Sequence, residues 1–117
     1  MKRVLITDDA IFMRVALKNM LEKNGFEIVG EAENGAIAVE KYELLKPDIV
    51  TLDITMPIMD GLEALKQIKA IDKNAKVMMI TAMGQETIVR DAIILGATGF
   101  VIKPFDEFTI VKAFNKL

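Results

Sequence analysis

The sequence predicts an α/β protein built as (βα)5, a doubly wound parallel sheet of five strands, and three observations carry the prediction. Short β-branched runs alternate with longer segments of helical period, five times over. The first, third and fourth short runs (VLI, IV-L, VMMI) are continuously apolar, as strands covered on both faces must be. The chain has 117 residues, enough for one compact domain and too few for two, and 52% of them are apolar.

The first strand is expected at Arg3–Thr7, and a helical stripe of Met13, Ala16, Leu17, Met20 and Leu21 follows it. Asn24-Gly25 ends that helix. A second strand at Glu27–Glu31 leads to a stripe of Ala38, Val39, Tyr42 and Leu45, closed by Lys46-Pro47. The third strand, Asp48–Leu52, precedes a stripe of Ala64, Leu65, Ile68 and Ile71. The fourth, Lys76–Thr81, precedes a helix from Glu86 to Leu95 that stops at Gly96. The fifth, Gly99–Ile102, is followed by Ile110, Val111, Phe114 and Leu117. Crossovers between parallel strands are right-handed, so the helices must cover both faces of the sheet. No linker, repeat or low-complexity segment interrupts the order, and residues 1–117 are expected to form one domain.

Composition removes whole classes of chemistry. There is no cysteine and no histidine, which excludes disulfides, thiol nucleophiles, histidine general bases and histidine-ligated zinc. Any metal must sit on oxygen ligands, which favours magnesium, calcium or manganese. The 15 basic and 17 acidic residues are well mixed, so neither a nucleic-acid patch nor an acidic arm is expected. The apolar run in MKRVLITDD is too short for a signal peptide, and nothing later is long enough to span a membrane. The expected compartment is the cytoplasm.

In an open parallel sheet, ligands bind beyond the carboxyl ends of the strands. Asp8 and Asp9 follow the first strand and Asp53 follows the third. Thr81 ends the fourth, before Ala82-Met83-Gly84, and Lys103-Pro104 follows the fifth. Each residue alone has a plain structural alternative. Asp8 or Asp9 can be a helix N-cap, Asp53 a turn former, Thr81 a strand former and Lys103 a solvated surface residue. Their convergence on one sheet edge is what points to chemistry. Three neighbouring carboxylates repel one another unless a cation intervenes, and magnesium, with its taste for one or two carboxylates and a phosphate oxygen, suits them. Asp53, alone on a central strand, is the expected carboxylate nucleophile for a phosphoryl group, with Lys103 supplying charge and Asp8 and Asp9 the metal cradle.

These residues resemble the receiver domains of two-component response regulators over essentially the whole chain. The matching pieces are the acidic pair in LITDDAIFMR, the segment DIVTLDITMPIMDGLEAL, the TAMG turn and FVIKPF. The single-domain chemotaxis proteins of the CheY type are the most similar branch, because the chain is short and carries no output domain. The resemblance implies the flavodoxin-like strand order 2-1-3-4-5, the order of flavodoxin and CheY. It implies that Asp53 is phosphorylated by a histidine kinase of the CheA kind, and that the domain itself catalyses phosphotransfer and autodephosphorylation. Magnesium would be bound directly by Asp9, Asp53 and the Thr55 carbonyl, with Asp8 acting through water. Lys103 would contact the phosphoryl oxygens, its bond to Pro104 is expected to be cis, and Thr81 would donate its hydroxyl. Phe100 falls at the aromatic switch position, often Tyr in chemotaxis members, so no phenolic hydroxyl can act there. Thr55 and Met83 take the two variable positions that tune phosphoryl lifetime in the family.

The resemblance also implies an output face. The fourth helix carries Ile88, Val89, Ala92, Ile93, Ile94 and Leu95, more apolar side chains than one buried stripe requires. Val89, Ile93, Phe100 and Ile102 are the expected partner surface, with simple coverage of the sheet edge as the alternative. Met56, Met59 and Met83 are candidates for a docking rim around the site. The partners implied are the kinase, a flagellar motor switch protein and a phosphatase, acting on a monomer. Alternatives are the receiver of a phosphorelay or of a transcription regulator. A flavin-binding electron carrier is a further one, disfavoured because Asp8 and Asp9 would repel a metal-free phosphate. A phosphohydrolase would need a second acid or base and a cap, and the sequence offers neither.

Overall fold

A computed structural model describes all residues, Met1–Leu117. Five strands, β1 (Arg3–Thr7), β2 (Glu27–Ala32), β3 (Ile49–Leu52), β4 (Lys76–Thr81) and β5 (Gly99–Ile102), alternate with five helices. The helices are α1 (Ile11–Lys23), α2 (Gly35–Leu45), α3 (Gly61–Ile71), α4 (Glu86–Ile94) and α5 (Glu107–Asn115). All strand pairs are parallel and the order is β2-β1-β3-β4-β5, as the resemblance implied.

Successive residues of a strand point to opposite faces, and the two cores follow that alternation. Val4 and Ile6 join Leu17 and Leu21 of α1 and Ile110 and Phe114 of α5. Leu5, Val50 and Leu52 join Ala38 and Tyr42 of α2, Leu65 and Ile68 of α3, and Ala92 of α4. Phe26 packs edge-on against Phe114 with ring centroids 5.5 Å apart.

Local chemistry sets the ends of the elements. Asn34, Asp60 and Asp106 cap α2, α3 and α5 by accepting from the amides of Ile37, Glu63 and Thr109. Gly25 and Gly96 take the left-handed backbone that stops α1 and α4, with φ of 89° and 101°. The N-cap alternative for the acidic pair fails, since α1 is capped by Ala10 without a side-chain bond. Three expectations are corrected. β2 runs one residue further, because its Thr7↔Ala32 pairing continues the ladder, while β3 begins one residue later, at Ile49. Ile71, expected in the buried stripe of α3, is exposed, because it ends the helix beyond the sheet. No helix is long and apolar enough to cross a membrane.

Candidate functional site

Asp8, Asp53, Thr81 and Lys103 end or follow β1, β3, β4 and β5, so the parallel sheet delivers them to one edge. Ligand oxygens of Asp8, Asp9 and Asp53 lie within 4.8 Å of one another. Asp8 and Asp53 are buried, whereas Asp9 is exposed. The Lys103 ammonium donates to both buried carboxylates, at 2.7 Å to Asp8 Oδ2 and 2.7 Å to Asp53 Oδ2. The plain alternative for Lys103, a solvated surface lysine, therefore fails: its side chain is only 17% exposed. Its peptide bond to Pro104 is cis, as expected.

Burial pushes the Asp8 carboxyl above its ordinary range, against the lowering effect of its bond to Lys103. Burial also works to lower Lys103, but its bonds to Asp53 and Asp8 outweigh it and the ammonium ends up raised. Three carboxylates against one ammonium leave two negative charges uncompensated, the charge of one divalent cation. The donors are all oxygen, so the cluster fits a hard cation such as magnesium.

Around this centre, Thr55 donates its amide to Asp53 Oδ1 at 3.3 Å. The turn-forming alternative for Asp53 thus holds alongside its place in the acidic cluster. The Thr55 hydroxyl donates to the Met83 sulfur at 2.9 Å, bridging the two positions that flank Asp53. Thr81 is buried, and its hydroxyl oxygen accepts from the Met83 amide at 3.3 Å. Gly61 lets α3 start against the end of β3: its amide donates to the Ile54 carbonyl, and a Cβ there would overlap the Asp53 carbonyl oxygen.

Phe100 is half-buried against the core on the α2–α4 face. Of its expected companions, Ile93 and Ile102 are exposed and Val89 is half-buried. Phe108 of α5, 73% exposed, shares a groove with Phe100 and Ile102, and Ile94 of α4 is 74% exposed. A groove between β5 and α5 is lined by Phe100, Ile102, Phe108, Lys112 and Lys116 among others. The methionine rim is only partly present: Met56 is buried, because it turns into the core, while Met59 and Met83 are half-buried.

Sequence reasoning missed Arg14, whose Nη1 donates to the Asp8 carbonyl at 2.7 Å. Its position less than two turns beyond the acidic pair, inside an otherwise apolar stretch, was the available signal.

The family profile described as the response regulator receiver domain matches residues 4–115. Among curated proteins, the chain is 58% identical over 114 residues to the chemotaxis protein CheY of Bacillus subtilis, covering 97% of this chain and 95% of that one. It is 56% identical over 116 residues to the chemotaxis protein CheY of Thermotoga maritima, covering 99% and 97%. Among solved structures, it is similar to a chain of the CheX-CheY-BeF3-Mg+2 complex from Borrelia burgdorferi. There the TM-score is 0.95 with 43% identity, covering 98% of this chain and 87% of that one.

Proposed function

The chain belongs to the response regulator receiver domain family and is a two-component response regulator of the CheY-like kind, and we propose that Asp53 is its phosphoacceptor. The observation that carries the proposal is Asp53 at the end of a fully buried strand, its carboxylate held between the Lys103 ammonium and the Thr55 amide. Residues 1–117 act as one receiver domain in this reading.

An Asp53 carboxylate oxygen forms a bond to phosphorus as the donor's bond to phosphorus breaks, and the donor leaves with that electron pair. Lys103 moves its ammonium from the two carboxylates to the incoming phosphoryl oxygens, keeping charge balance through the transfer. Thr81 turns its hydroxyl from the Met83 amide to the phosphoryl group. Asp8, Asp9 and Asp53, with the Thr55 carbonyl, would hold magnesium, which supplies positive charge to the phosphoryl oxygens when bound. The same groups support self-catalysed phosphotransfer and hydrolysis of the acyl phosphate. A histidine kinase is the natural donor, and the cytoplasm, where such a kinase has ATP, is the compartment required.

The output partner is the flagellar motor switch protein, in keeping with the high identity to chemotaxis relatives. Ile93 and Ile102 offer the exposed apolar contacts, and Val89 and Phe100 are half-buried. A phosphatase is a further partner, by analogy with the relative whose complex includes CheX.

Incubation with magnesium and a small acyl-phosphate donor, followed by intact mass, tests the acceptor. One magnesium-dependent phosphoryl adduct is expected on the parent chain and none on Asp53→Asn. An adduct that persists on Asp53→Asn would assign the acceptor elsewhere.

A further inference from the structure

Arg14 takes no part in the chemistry above, yet its side chain is only 13% exposed. A guanidinium withdrawn from water needs partners, and its planar fork of donors fixes their geometry. Nε donates to Glu31 Oε1 at 2.9 Å, and Nη1 donates to the main-chain carbonyl of Asp8 at 2.7 Å. Neighbouring bonds stiffen both ends of this bridge. The Asp8 amide donates to the Ala32 carbonyl at 3.0 Å, and Lys41 Nζ donates to the Glu31 carbonyl at 2.6 Å. Arg14 thus ties the first turns of α1 to the end of β2 through the main chain of Asp8.

The Asp8 carbonyl lies in the peptide plane that joins Asp8 to Asp9. Because that plane is rigid, fixing its oxygen also fixes the direction in which Asp9 leaves it. Asp9 is the exposed member of the acidic cluster, so its main chain is what orients its carboxylate. We infer that Arg14 is a positioning residue for the divalent cation, holding the Asp8–Asp9 peptide plane so that the Asp9 carboxylate meets the ion shared with Asp8 and Asp53. This rests on the metal-site reading above.

The inference has a sign that a charge effect lacks. A guanidinium near an acidic cluster repels a divalent cation, so removing it on charge grounds alone would tighten binding. Loss of positioning weakens it. Outer-shell partners of metal ligands are typically worth at least tenfold in metal affinity, and about tenfold is expected here.

The test is a calorimetric titration of the full chain with magnesium chloride, beside metal-free melting and the amide resonance of Asp9. Arg14→Ala is expected to bind magnesium about tenfold more weakly and to shift the Asp9 amide before metal is added. Arg14→Lys, which retains one donor, is expected to recover part of the affinity. Unchanged or tighter binding by Arg14→Ala, or a lowered melting temperature with affinity intact, would overturn the inference. Should Arg14→Ala not fold, Arg14→Gln replaces it with the same two outcomes. A parent chain that binds no magnesium would instead sink the metal-site reading itself, and Asp9→Asn marks that baseline.

Discussion

The third and fifth strands are both four residues long, yet they are built to opposite specifications. All four residues of β3 are buried, and its neighbours β1 and β4 flank it on both sides. β5 is an edge strand in which Val101 alone is fully buried and Ile102 is exposed. The strand that carries Asp53 is packed like a domain centre, whereas the strand before Lys103 borders an apolar, lysine-lined groove. Elements that move in a switch are drawn from the less constrained end of a structure, and here that end is β5. Lys103, which hangs from β5 and holds Asp53, joins the two.

The comparison breaks most severely at Gly61. Its missing Cβ is what lets α3 start against the Asp53 carbonyl. Gly61→Ala is expected to cost about 4 kcal/mol in urea unfolding, more than ordinary overpacking because the clash is with main chain. Leu52→Ala, which empties the centre of β3 without a clash, should cost about 3 kcal/mol in the same assay.

A pH series sharpens the join between the strands. Burial, and then the nearby Asp72 carboxylate, push the Tyr42 phenol up to about 12 from its ordinary 10.0. The folded chain keeps that proton between pH 10 and 12 while the unfolded chain releases it. The stabilisation is therefore complete below pH 10 and lost as pH climbs to 12, by about 2 kcal/mol. Lys103 is raised too and has the same sign: its contribution is present below its ordinary value of 10.5 and lost above its folded one. Tyr42→Phe should remove the phenol's share of the alkaline loss in urea unfolding and leave that of Lys103. The smallest effect on stability belongs to Ile102→Ala, below about 1 kcal/mol. Its effect should appear instead as roughly tenfold weaker binding of the phosphorylated chain to the motor switch protein proposed as its partner, measured by calorimetry.

The contrast also sorts what the residues disclosed in advance. β3 was legible because a strand buried on both faces writes itself as an unbroken apolar run, and the turn after it isolates Asp53. The strand ends named Asp8, Asp9, Thr81 and Lys103 because topology alone carries them to one edge. Which of them touch was not legible. Lys103 shared between Asp8 and Asp53, and Arg14 on the Asp8 carbonyl, join residues far apart in sequence or main chain to side chain, and no periodicity records such pairings. The proposed output face was half legible: the excess of apolar residues on α4, Ile94 among them, is visible in the sequence, but the exposed Phe108 of α5 beside Phe100 and Ile102 is not.

Tyr42 is the only tyrosine, and there is no tryptophan. Its hydroxyl donates to Asp72, which follows α3 and leads into the amino end of β4, whereas Asp53 follows the carboxyl end of β3. The molecule is therefore almost optically silent, with one chromophore placed where the chemistry does not reach. Its emission is expected to report unfolding and to stay unchanged when magnesium is added. An indole introduced near Asp53 would give a second signal with no other tryptophan beneath it.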